Sequence, residues 1–149
     1  MVATGVPALY AMAERFRPLL TSDDPLAVEE TTAELITQAD QSDDTSGLGL
    51  VMGVVALAAR HPEPQVAAMA CALDAFMPGM ATGMALSDLA RHGVPMPSWH
   101  DRLGDVAPGT AWHYLNGYGE QRGVLATFSY GETPHSLVAV TSPWASRPS

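Results

Sequence analysis

The sequence predicts an α+β protein, with about five N-terminal helices packed on a small C-terminal three-stranded antiparallel meander. Three observations lead there. Up to about residue 92, apolar residues recur three and four positions apart, the spacing of one helix face. After Pro108-Gly109 apolar and polar residues alternate instead, the period of a strand. Between the two regimes lies Val94-Pro95-Met96-Pro97, too rich in proline to continue a helix. A length of 149 residues is read as a single domain, with a helical part 5–93, a Pro-rich connection 94–109, a β part 110–141 and an irregular tail 142–149.

The elements follow in order. Pro7 to about Phe16 is a first helix, with Leu9, Met12, Ala13, Phe16 and Leu20 at helical spacing and Pro18 as the interruption. The second starts more sharply, because Asp24 is a good N-cap and Pro25 suits the first helical position. Val28, Thr32, Leu35, Ile36 and Ala39 form its inner face, and Glu29, Glu30, Glu34 and Asp40 the other. Gly47 to Arg60 is apolar all round and is expected to be the buried central helix, capped by Asp44 or Ser46. Val51, Val54 and Val55 leave a buried strand as the alternative, and Gly49 and Gly53 would admit a close neighbouring helix. His61-Pro62-Glu63-Pro64 is a break before a fourth helix ending at Met77. Pro78-Gly79 separates it from a fifth, which ends at His92 with Gly93 placed to close it. Strand patterns then centre on Trp112, Val124 to Tyr130, and Leu137 to Val140.

Charge removes several function classes. The formal net charge is −9, and no basic residue lies between Arg17 and Arg60. That interval holds Asp23, Asp24, Glu29, Glu30, Glu34, Asp40, Asp43 and Asp44, a field that repels phosphates and anionic membranes. Nucleic acid and membrane are therefore not expected partners. The interval suits solubility, a basic partner, a cation or mimicry of nucleic acid. The apolar run Gly47 to Ala59 falls short of the ~20 residues of a membrane span. The first residues lack a basic and apolar leader pattern, so the cytoplasm is the expected location. The lone Cys71 excludes an intramolecular disulfide and reads as a small buried hydrophobe.

The segment Gly93-Val94-Pro95-x-Pro97-x-Trp99, then Ala111-Trp112, Tyr118-Gly119-Glu120-Gln121, Val124-Leu125 and His135-x-Leu137-Val138, resembles a C-terminal arrangement of an uncharacterised, mostly actinobacterial protein family. The resemblance covers about residues 90–140 and implies a fold hint but no activity. In that arrangement the last strand leads into an Asp-His-Asn segment, whereas this chain continues Thr141-Ser142-Pro143-Trp144.

Seven of the ten aromatics lie from Trp99 onward, with three of the five histidines, so recognition is expected there. Trp99-His100-Asp101-Arg102, with Asp105 nearby, offers a general base or metal ligands. Its plainer reading is a capping box of Ser98 and Asp101. His113, on an alternating strand, faces either solvent or the core. No histidine pair has zinc spacing, and Asp40-x-x-Asp43-Asp44 lacks the alternating oxygens of a calcium loop, so no metal is expected. Gly117-x-Gly119-x-x-x-Gly123 joins two strands and does not open a helix, so no phosphate or cofactor site is expected. Met80 and Met84, four apart beside Gly79 and Gly83, offer an adaptable apolar contact.

Two readings follow. The first is a non-enzymatic protein-interaction or regulatory domain, self-associating through the sheet, with Trp112, Tyr114, Tyr118, Trp144, Met80 and Met84 as contact residues. The second is a small-molecule-binding protein or hydrolase-like enzyme, with a pocket between helices and sheet that uses His100, Asp101 and His113.

Overall fold

The computed structural model describes residues 5–41, 47–119 and 121–141. The fold is α+β, with five α-helices followed by a three-stranded antiparallel sheet. It forms two compact units, Met1–Leu103 and Gly104–Ser149.

The first unit is helical: α1 (Val6–Glu14), a 3-10 turn (Arg17–Thr21) containing Pro18, α2 (Pro25–Gln41), α3 (Gly47–Arg60), α4 (Pro64–Phe76) and α5 (Met80–Arg91). The boundaries follow local chemistry. Asp24 Oδ1 accepts the Leu26 amide at 3.1 Å, capping α2 as its spacing predicted. The ending of α5 is a full Schellman motif. Gly93 takes φ +74°, its N–H donates to Ala90 C=O at 3.0 Å, and the Val94 N–H donates to Leu89 C=O at 3.1 Å. Val94 and Leu89 are both buried, the apolar contact that accompanies this cap. The residues Val51, Val54 and Val55 are helical, which decides against the strand alternative. The candidate caps Asp44 and Ser46 lie outside the described residues.

The central helix is α4, which corrects the expectation for α3. Every residue from Gln65 to Leu73 is buried, and α4 packs on α1, α2, α3, α5 and both 3-10 turns. The reason is side-chain size. Ala67, Ala68, Ala70, Cys71 and Ala72 make α4 thin, so neighbours close in on all sides, whereas α3 leaves Met52 exposed. Gly53 of α3 does permit close approach. A Cβ there would collide with the Leu9 side chain of α1.

Trp99 is the largest fully buried side chain of this unit, and its indole N–H donates to Leu19 C=O at 2.9 Å. It belongs to the core and so leaves the set of aromatics available for recognition. The 3-10 turn His100–Arg102 begins without a side-chain cap, so the expected capping box is not formed.

Cys71 is buried, with its thiol 3.4 Å from Met96 Sδ, and burial pushes its pKa up to about 12. Thiolate is the reactive form. A maleimide at pH 8 is therefore expected to leave the folded chain unlabelled and to label it after unfolding in denaturant. Stoichiometric labelling of the native protein would contradict the burial.

The second unit is the sheet, ordered β1 (Val106–Leu115), β2 (Arg122–Tyr130), β3 (Thr133–Thr141) and antiparallel throughout. The meander is as predicted, but β1 begins four residues before the expected strand and takes in Pro108-Gly109. A register shift between Pro108 and Ala111 accommodates them. Thr127 pins the shift, since its Oγ1 accepts the Thr110 amide at 2.9 Å and donates to Thr110 C=O at 3.0 Å. Gly131, at φ +58°, opens the two-residue loop between β2 and β3.

Candidate interaction surface

The sheet register assigns every strand side chain to a face, because directly paired residues point the same way. One face carries Trp112 opposite Leu125 opposite Val138, and Tyr114 opposite Gly123 opposite Val140. The Tyr114 ring lies where a Cβ on Gly123 would be, so any larger residue there would displace the aromatic from its place over the strand. The other face carries Leu115, His113, Val124, Ala126 and Leu137. Towards one end of that face Phe128 stacks on His135 at 5.6 Å, with Tyr130 edge-on to both.

Within this unit the described residues make a single layer, and apolar side chains stand exposed on both faces. Trp112, Tyr114, Leu115 and Val124 are among them, as are Leu137 (59% exposed), Val138 (57%) and Val140 (54%). Across all three strands Arg122 is the lone Asp, Glu, Lys or Arg. The acidity of the chain therefore does not reach these faces.

The two edges differ. At β1 the outer edge is interrupted by Pro108 and the bulge, the devices that blunt an edge strand. The β3 edge has a proline only at its second residue, Pro134, and then runs His135 to Thr141 without charge, glycine or bulge.

The other predicted contact residues fall elsewhere. Tyr118 is exposed in the β1–β2 loop, and Trp144 lies outside the described residues. In the helical unit, Met80 (84% exposed) and Met84 line a concavity of about 520 Å³ between α3 and α5. Val55, Ala59 and Gly83 complete its apolar part, and Ser87, Asp88 and Arg91 its polar part.

Of the candidate chemical residues, His100 and Asp101 belong to the helical unit and His113 to the sheet. His100 Nδ1 lies 3.1 Å from Asp101 Oδ1, a pair on an exposed turn. His113 sits exposed on β1, paired with Val124. None of the three lines the α3–α5 concavity. Among the described residues no group of three or more His, Cys, Asp or Glu is placed to hold a metal ion. No described helix is long and apolar enough to cross a membrane.

A polar cluster that sequence reasoning missed ties α1 to the start of α4. Tyr10 Oη donates to Glu63 Oε2 at 2.9 Å. The buried Gln65 amide donates to Glu14 Oε1 at 3.0 Å and also to Glu63 Oε2. His61 stacks obliquely on Tyr10 at 4.9 Å. Arg17 grips Glu14 through two bonds of 2.7 and 2.8 Å. More than fifty residues separate Tyr10 from Glu63, so no spacing rule could join them.

The hydrogen bonds from Arg17, with its positive charge, hold Glu14 at about 2, below its ordinary 4.5 and against the opposing effect of desolvation. A carboxylate depressed in the folded state contributes stability that is complete above its unfolded pKa. That contribution is expected to disappear as pH falls from about 4.5 to about 2. Glu14→Gln should flatten the acid-unfolding curve in this window, followed by helical circular dichroism. An unchanged curve would contradict the bidentate pair.

No family model matches the chain, no curated protein matches it, and no solved structure matches its fold.

Proposed function

We propose that this chain is a non-enzymatic protein-interaction domain that self-associates through its C-terminal sheet. The observation that supports this most is the exposed, charge-free apolar surface of β3, where Leu137, Val138 and Val140 all stand more than half exposed. Val138 and Val140 stand on the face of Trp112 and Tyr114 and Leu137 on the opposite one, so β3 presents apolar side chains on both sides of its edge, and exposed apolar surface marks contact sites. A sheet of only three strands is also close to the minimum for stability, and further strands added at its edge strengthen it. His100, Asp101 and His113 are each exposed and none lines the α3–α5 concavity, so they supply no matching argument for catalysis.

Amide hydrogen exchange at two protein concentrations tests the reading. Protection across Thr133–Thr141 is expected to rise with concentration, while that of the buried α4 amides stays constant. Protection of β3 that is independent of concentration over the micromolar to millimolar range would overturn self-association.

A further inference from the structure

We infer that two copies of this chain join edge to edge, β3 against β3, into one continuous six-stranded antiparallel sheet with a two-fold axis beside Leu137; the inference rests on the self-association reading and names its geometry.

Three observations support it. First, the two edges of the sheet are unequal. Pro108 and the bulge interrupt β1, while β3 is uninterrupted and uncharged after Pro134. The order β1-β2-β3-β3-β2-β1 places the blunted strands outside and the open ones inside, the arrangement that leaves no open edge to recruit a third copy.

Second, charge selects the partner. Each chain carries −9, so two copies repel except across surface without carboxylates. The strand β3 has none, and in the symmetric contact no like charges oppose one another. A basic partner, in contrast, would find nothing on β3 to pair with.

Third, symmetry sets the register. A two-fold perpendicular to the sheet keeps each residue on its own face, so the two paired residue numbers must both be odd or both even. The axis must then pass beside a residue. Leu137 is the midpoint of Thr133–Thr141, and centring there pairs β3 along its whole length. Leu137 then faces its own copy, Ser136 faces Val138, and Ala139 faces His135. Any other symmetric register leaves strand ends unpaired.

The contact is a modest one. A strand of nine residues gives a strip about 30 Å long and about 10 Å deep, on the order of 300 Å² per copy. Stable interfaces bury roughly 800 Å² per partner, so the pair should form and dissociate with concentration. Backbone hydrogen bonds carry it, as in other strand additions.

Disulfide trapping in the full chain tests the geometry. Residues directly opposite in an antiparallel pair have Cα atoms about 4.5–5.5 Å apart, within disulfide reach. Under copper-phenanthroline oxidation, Leu137→Cys is expected to convert most of the chain to a species of doubled mass on non-reducing electrophoresis. Trp112→Cys lies on the outer strand, two strands away from the axis on each copy, and should stay single. The buried Cys71 supplies the unsubstituted control. Trapping of Trp112→Cys without Leu137→Cys would mean that copies meet face to face, which overturns the edge geometry while self-association stands. Trapping of neither, in a chain whose light-scattering mass is that of one copy, overturns both.

Discussion

Replacing Trp99 by alanine is expected to destabilise the helical unit by about 3–5 kcal/mol, the range for removing a large buried aromatic. Two losses combine. The side chain is completely buried among the helices, and little can collapse into the space it leaves. Its indole N–H is also a partner of Leu19 C=O, at 2.9 Å. Trp99→Phe separates the two, because it retains most of the volume and loses the hydrogen bond. That variant should cost about 1–3 kcal/mol. Guanidinium unfolding followed by helical circular dichroism measures both. A Trp99→Ala chain within 1 kcal/mol of the parent would show that the Pro-rich connection does not dock as described. A protein of this size holds only about 5–15 kcal/mol in total, so the alanine variant should be visibly compromised at 37 °C.

Leu137→Lys is expected to abolish self-association while leaving the fold of the single chain intact. The side chain is more than half exposed in one copy, so exchanging it costs the chain itself no more than about 0.5 kcal/mol. In the pair, each copy loses roughly 1–2 kcal/mol of apolar contact. Two ammonium groups then face each other across the axis, which is unfavourable in directly opposed strand positions. A total of about 3 kcal/mol weakens the pair about a hundredfold. Lysine on an edge strand is also one of the natural devices against strand pairing. Trp112→Ala, on the outer strand, should leave the affinity within a few-fold. The reverse pattern, with Trp112→Ala dissociating the pair and Leu137→Lys leaving it, would assign the contact to the face.

The helical unit was legible where chemistry is local. Asp24-Pro25 marked the start of α2, and Gly93 the end of α5, because caps depend on a few adjacent residues. The three strands were legible from alternation, though β1 starts earlier than predicted. Pro108-Gly109 reads as a breaker, and only the Thr127 hydroxyl on the neighbouring strand shows that a bulge absorbs it. The burial ranking of α3 and α4 was not legible. The all-apolar α3 looked central, yet small side chains matter more than hydropathy when six elements must meet one helix. Trp99 reads as a recognition aromatic next to His100 and Asp101, but the Leu19 carbonyl that holds it is eighty residues away. The same distance problem hid Tyr10, Glu63 and Gln65. Trp112 and Tyr114 were singled out from sequence, whereas Leu137 to Val140 read only as a strand, and its exposure and the inequality of the two edges needed the register.

Light-scattering mass as a function of concentration tests self-association most directly. One copy has a mass of 15.7 kDa. The weight-average mass of the full chain is expected to climb toward twice that value between about 10 μM and 1 mM, the range that suits a contact of this size. Leu137→Lys should remain at the single-chain mass throughout. A parent chain that stays at 15.7 kDa across the same range would contradict self-association through the sheet.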